Sequence, residues 1–192
     1  TRASVYTGRY PHVHGVWANG CRLSESEVTM PQVLSEAGWA TGAAGKIHHE
    51  PQQAYDGYVP DVQGAYYGFD EVHMSENRLG EEYLDWIDEE YPELSDTVRG
   101  RTGVPEEAHE LQWITSQAID FITRQADDDT PFFCHCSYHE LSPPCTPPDG
   151  WEGHYDPADV PVPELRADDL DCKPNWYREC YEGYLANGRQ PD

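Results

Sequence analysis

The sequence has little positive charge. Its 192 residues contain 36 Asp+Glu against 12 Lys+Arg, a formal net charge of -24, and two of the cations are lysines, Lys46 and Lys173. Nucleic acids and anionic membranes reward basic faces, so this composition argues against both as partners. We interpret the acidity as a solvated surface suited to high salt, as in halophilic proteins, with an ordinary acidic protein as the alternative.

Long apolar runs and paired cysteine motifs are also missing. No stretch approaches the roughly 20 apolar residues that a membrane helix needs, so we expect no membrane segment. The six cysteines have no Cys-x-x-Cys spacing, which argues against a zinc ribbon or a thioredoxin-type site. Asn-x-Ser/Thr does not occur, and the sequence leaves the compartment and the oligomeric state open.

Helical and strand signals alternate along the chain. Residues 1–7 predict a short helix ended by Gly8, and Pro11 predicts that this helix does not resume. Thr29 is a candidate N-cap for the next helix. Further helices are predicted over 30–37, 79–91, 106–126 and 175–186, and buried strands over 39–44 and 132–138. This order indicates an α/β fold whose sheet is covered on both faces and binds ligands at the carboxyl ends of its strands.

Three basic groups are predicted at element ends. Arg2 lies in the first turn of the first helix, while Lys46 and His48 follow an apolar strand. If the sheet brings them to one rim, they form a local anion site within an acidic protein. The alternative is that Lys46 lies along the surface and pairs with a carboxylate there.

The stretch TRASVYTGRYPHVHGV resembles the continuation of the sulfatase signature, Cys (or Ser)-x-Pro-Ser-Arg followed by Thr-Gly. Thr1 falls on the serine position, Arg2 on the arginine, and Thr7 and Gly8 close the motif. The segments MPQVLSEAGWATGAAGKIHH, YYGFDEV, TPFFCHCSYHELSPPCTPP and YDPADVPVPE resemble later parts of the family in the same order. The resemblance implies an alkaline-phosphatase-like central sheet, incomplete at both ends, with residues 1–192 part of a single catalytic domain.

The resemblance also implies an activity, the hydrolysis of aryl or carbohydrate sulfate monoesters. Family members use a formylglycine nucleophile and a divalent cation, usually calcium. By position, Arg2 stabilises the surroundings of the formylglycine and the metal, Lys46 contacts sulfate oxygens, and His48 hydrogen-bonds the formylglycine hydroxyl. A histidine suits that role because its ordinary pKa lies near the working pH.

Several family residues are not found in this chain. The formylglycine precursor and the metal ligands are expected upstream of Thr1 and beyond Asp192, so we expect no metal site within the chain and no activity from the chain alone. Ser142 stands where the family has a substrate-binding histidine, and serine can donate a hydrogen bond but cannot carry a charge. His139 lies three residues earlier, and we hypothesise that it compensates.

Three other functions are considered. The protein could be a phosphonate or phosphate ester hydrolase of the same superfamily, since Ser142 departs from the sulfatase pattern. It could instead be a non-catalytic sulfatase-like protein that binds sulfated glycans, if the formylglycine precursor is missing. An independent acidic domain is the least favoured alternative, because such a sheet would leave strand edges exposed.

Overall fold

The computed structural model describes residues 1–51, 66–76, 79–139, 145–161 and 168–186, without the side chains of Glu81 and Tyr184. Three parallel strands form a sheet within residues 1–151. The strands are β1 (Ala40–Gly45), β2 (Glu71–Met74) and β3 (Phe132–Ser137). They are arranged in the order β2-β1-β3, with β1 in the middle.

The register brings the carboxyl ends of the three strands level. Gly45, the last residue of β1, pairs with Met74 on one side and with Ser137 on the other. Because all three strands are parallel, the residues that follow them leave the sheet at the same edge.

Seven α-helices and three 3₁₀ turns lie in the described residues. The helices are α1 (Arg2–Thr7), α2 (Pro11–His14), α3 (Met30–Glu36), α4 (Glu81–Glu90), α5 (Ser95–Gly100), α6 (Glu110–Asp127) and α7 (Asn175–Ala186). The 3₁₀ turns are Pro92–Leu94, Glu106–Ala108 and Pro157–Asp159. None of the helices described here has the length and apolarity of a membrane span.

Helices cover the sheet on both faces, as the sequence predicts. Successive residues of a strand point to opposite faces, and Ala43 and Ala44 of β1 belong to two different apolar clusters. The cluster around Ala44 contains residues of α4 and α6, among them Tyr83, Ile87, Trp113, Ile114 and Ala118. The cluster around Ala43 contains Tyr6 of α1, together with Ile47, Tyr66 and Phe69.

Local signals define the ends of the early helices, with one exception. Gly8 ends α1 in the left-handed conformation, with φ 66°, and its amide donates to the carbonyl of Ser4. The Thr29 side chain caps α3 by accepting from the amide of Gln32. The first helix does not resume after Gly8, but a separate helix that the sequence did not predict, α2, begins at Pro11 itself. Proline at the first helical position gives up only an amide that a helix leaves unpaired anyway.

Two other elements differ from the sequence prediction. The helix α6 begins at Glu110 rather than Glu106, because His109 is extended and its ring accepts the amide of Leu111. The strand β2 was not predicted, since four residues are too few to establish a period, and all four are half-buried.

Residues Glu152–Asp192 form a separate unit from Thr1–Trp151. The second unit contains the 3₁₀ turn Pro157–Asp159 and helix α7, and Lys173 forms an ion pair with Asp169 at 3.1 Å. The assignment of residues 1–192 to one catalytic domain stays a prediction.

Candidate active site

The basic residues singled out in the sequence lie near one edge of the sheet. Lys46 and His48 follow β1, and Arg2 reaches the same edge from α1, where its Nη2 donates to the Ser137 hydroxyl at 3.0 Å. Ser137 also accepts the Lys46 amide on its carbonyl oxygen at 2.9 Å. Ser137, at the end of β3, therefore hydrogen-bonds both Arg2 and the backbone of Lys46.

Gly45 makes this close approach possible. Its φ is +89°, and a Cβ built at this position would lie 2.0 Å from the carbonyl oxygen of Ser137. A side chain is excluded both by that contact and by the backbone conformation. A glycine is therefore required before Lys46, because a side chain at this position would prevent the end of β1 from packing against β3.

The turn from Lys46 to His48 is held by Glu76, the second residue after β2. Its Oε1 accepts the amides of Ile47 at 3.0 Å and His48 at 2.7 Å. His48 has φ 64°, a conformation that costs a non-glycine residue roughly 1–3 kcal/mol and persists only where the surroundings impose it. The two hydrogen bonds from consecutive amides supply that constraint.

His48 is neutral at ordinary pH. Burial lowers its pKa to about 4, and the positive charges of Lys46 and Arg2 add to this effect. The pKa near neutrality expected from the sequence is therefore not kept, because the imidazolium form would lose water and meet two cations. The Nε2 of His48 is buried and has no hydrogen-bond partner among the residues that the structure describes.

A cleft of about 250 Å³ adjoins this group. Arg2 and His48 lie in its wall, together with the segment from Val16 to Cys21. A small anion in this cleft would lie next to the Arg2 guanidinium and the neutral side chain of His48, and an imidazole can accept or donate a proton.

Two more histidines lie close to these residues, His49 fully buried and His135 half-buried. The Nε2 of His135 donates to the carbonyl of Lys46 at 3.2 Å, and burial lowers the pKa of His135. His49 is 0% exposed, and burial lowers its pKa to about 3, with smaller effects from His135, His48 and Arg2. Both imidazoles therefore pack as neutral rings.

His139 is buried against the segment after β2. Its Nε2 donates to the carbonyl of Ser75 at 3.0 Å and lies 3.2 Å from the Ser75 hydroxyl and 3.9 Å from Glu110. The Ser75 hydroxyl in turn donates to Glu110. His139 would have to leave these contacts in order to compensate for Ser142, and that role stays a prediction. Ser142 lies outside the described residues.

The described residues do not fit a metal ion. Among them, no group of three or more His, Cys, Asp or Glu side chains is placed to hold one.

Sequence reasoning missed Glu76 and Ser137. Each contacts the basic segments through tertiary hydrogen bonds across 28 and 135 positions of the chain, respectively. Their only sequence signal is the position at a strand end, which becomes visible once β2 and β3 are placed.

Comparison with known proteins assigns the family. The sulfatase family profile matches residues 1–169, most of the chain and all of the site described above. The chain belongs to the sulfatase family.

Curated relatives agree with this assignment. The chain is 26% identical over 203 residues to an arylsulfatase of Clostridium perfringens, covering 90% of this chain and 41% of that protein. It is 29% identical over 186 residues to the uncharacterized sulfatase YidJ of Escherichia coli, covering 92% and 35%. The chain thus spans well under half the length of these relatives.

Solved structures share the fold. A phosphonate monoester hydrolase of Agrobacterium radiobacter matches with a TM-score of 0.61 at 21% identity, covering 84% of this chain and 35% of that one. The sulfatase PsFucS1 of Pseudoalteromonas sp. matches with a TM-score of 0.53 at 20% identity, covering 98% and 42%. At these identities the likeness concerns the α/β architecture alone, which confirms the predicted fold class.

Proposed function

We propose that the full-length protein containing this chain hydrolyses sulfate monoesters, of an aryl alcohol or a carbohydrate, and that residues 1–192 are part of its catalytic domain. The observation that carries this proposal is the meeting of Arg2, Lys46 and His48 at one sheet edge. In a chain with a net charge of -24, a pair of cations beside a half-buried neutral imidazole is suited to a small anion.

Each residue has a distinct role in this proposal. Arg2, oriented by the Ser137 hydroxyl at 3.0 Å, and Lys46 stabilise negative charge on the sulfuryl oxygens and around the nucleophile. His48 uses its Nε2, which lacks a partner among the described side chains, to hydrogen-bond the nucleophilic hydroxyl. Because its pKa is about 4, the ring is present as a base rather than as a third cation.

The nucleophile and the metal are assigned to other parts of the full-length protein. A formylglycine would supply the attacking oxygen, and a divalent cation such as Ca²⁺ would supply charge neutralisation. Their precursor and ligands are proposed to lie outside residues 1–192. The chain's own contribution is to bind and orient the sulfate and to hold a proton acceptor beside it. Ser142 and His139 are proposed as weaker contributors to substrate binding.

The test compares the two lysines of the chain. In the full-length protein, Lys46→Ala should lower kcat/KM for 4-nitrophenyl sulfate by about 100-fold or more, since a charge that stabilises the transition state is removed. Lys173→Ala is the matched control, because Lys173 pairs with Asp169 and should leave the rate unchanged. Equal effects of the two variants would contradict the proposal.

The same assay separates the alternatives. Faster turnover of 4-nitrophenyl phosphate or a phosphonate ester than of the sulfate would favour the phosphate and phosphonate hydrolases of this fold. A folded full-length protein that turns over neither ester but binds sulfated polysaccharide would favour the non-catalytic reading.

A further inference from the structure

A carboxylate stands unexpectedly close to the proposed anion site. Burial raises the pKa of Glu76 overall, although the nearby charges of Lys46 and Arg2 oppose this effect. A negative charge at this position would weaken the attraction of the site for a sulfate. The hydrogen bonds that the Glu76 Oε1 accepts from two backbone amides give a structural reason for a carboxylate at this position.

The two amides belong to the segment that carries the proposed functional groups. Glu76 accepts the Ile47 amide at 3.0 Å and the His48 amide at 2.7 Å. His48 is thereby kept at φ 64°, and it lies in the wall of the cleft that Arg2 also lines. If these hydrogen bonds were lost, His48 would relax towards the ordinary right-handed or extended regions and its ring would move.

The position of Glu76 is set by the hydrogen bonds of the residue before it. The preceding residue, Ser75, is 0% exposed and its amide donates to the Gly45 carbonyl at 3.1 Å. The Ser75 hydroxyl donates to Glu110, and the Ser75 carbonyl accepts from His139. The end of β2 is therefore hydrogen-bonded to β1, to the first turn of α6 and to the second residue after β3, and these contacts fix the position from which Glu76 reaches the turn.

We propose that Glu76 is a positioning residue, whose carboxylate sets the backbone of Ile47 and His48 and thereby places the His48 imidazole for catalysis. This inference rests on the proposed sulfatase function. The relevant property of Glu76 is an acceptor oxygen at that place, more than its charge.

The experiment uses the full-length protein and four variants. Glu76→Ala removes the acceptor, Glu76→Asp shortens it beyond the reach of both amides, Glu76→Gln keeps an acceptor oxygen without the charge, and the exposed Glu89→Ala is the control. With 4-nitrophenyl sulfate, Glu76→Ala and Glu76→Asp should lower kcat by about 10-fold to 100-fold while KM changes less than about threefold. Glu76→Gln should recover most of the rate, and Glu89→Ala should match the wild type.

A double-mutant cycle tests whether Glu76 acts through His48. In a His48→Ala background, Glu76→Ala should lower kcat by less than about threefold further, because the group that it positions is already missing. If Glu76→Ala lowers kcat in the His48→Ala background as much as it does in the wild type, the proposal is overturned. It is also overturned if Glu76→Gln lowers kcat as much as Glu76→Ala. If Glu76→Ala does not fold, Glu76→Asp makes the same comparison.

Hydrogen exchange separates this inference from the proposed function. In the wild type, the amides of residues 47 and 48 should exchange slowly, and Glu76→Ala should speed their exchange at least about 10-fold while the peptides of α6 keep their protection. This result is independent of any activity. An inactive wild type with this exchange pattern would refute the sulfatase proposal alone, whereas unchanged exchange would refute the role of Glu76.

Discussion

The burial of His49 makes the protein sensitive to acid. His49 is 0% exposed, its ring lies 5.2 Å from the rings of Tyr6 and Tyr67, and neither ring nitrogen has a hydrogen-bond partner within the described part of the chain. Burial lowers its pKa from 6.5 to about 3. Folding therefore keeps this imidazole neutral at a pH where the unfolded chain would protonate it.

The size of the effect follows from the two pKa values. Between pH 6.5 and 3 the unfolded state binds more protons than the folded state, so the free energy of unfolding falls as the pH falls. Each pH unit in this window costs about 1.4 kcal/mol per group. From pH 6.5 to pH 5, His49 alone should remove about 2 kcal/mol of stability, which is a large share of a typical total.

Replacing the ring by one that does not titrate isolates this contribution. His49→Phe keeps an aromatic ring among the tyrosines, and the exposed His12→Gln serves as the control. Urea unfolding of the full-length protein, followed by tryptophan fluorescence at pH 7.5 and pH 5, should show that His49→Phe loses about 2 kcal/mol less than the wild type between the two pH values. A loss equal to that of the wild type would refute the reasoning, as would the same reduction in His12→Gln.

Two further predictions concern the same edge of the sheet. Gly45→Ala should destabilise the protein by more than about 3 kcal/mol in urea unfolding, because its Cβ would meet the Ser137 carbonyl oxygen at 2.0 Å in a region that L residues avoid. Gly103→Ala, also at positive φ but with nothing within 4 Å, should cost only about 1 kcal/mol, and similar costs for both would count against the close-contact argument. His139→Ala should lower the free energy of unfolding by about 1–3 kcal/mol, because the hydrogen bond to Ser75 is lost. If this variant keeps the wild-type sulfatase turnover, His139 does not replace the histidine that is missing at Ser142.

The fold class was predictable because its signals are local. Gly8 ends α1 and Thr29 caps α3 through contacts within four residues. The spacing of Ile114, Ala118, Phe121 and Ile122 in the sequence predicts one apolar face of α6, and the first three are buried, although Ile122 is 39% exposed. The helix at Pro11 and the strand β2 were missed, since a four-residue element carries too little periodicity to be recognised.

The candidate site likewise combines features that the sequence predicts with features that only the tertiary structure shows. The sequence by itself determined the α/β class and the family, and it singled out Arg2, Lys46 and His48 as candidates, because these follow from motifs and from residues adjacent to element ends. The tertiary structure alone decided that Ser137 joins Arg2 to Lys46, that Glu76 holds His48 in a left-handed conformation, and that burial beside two cations keeps the His48 ring neutral. These contacts join residues far apart in the chain, and they exist only because three parallel strands end level at Gly45, Met74 and Ser137.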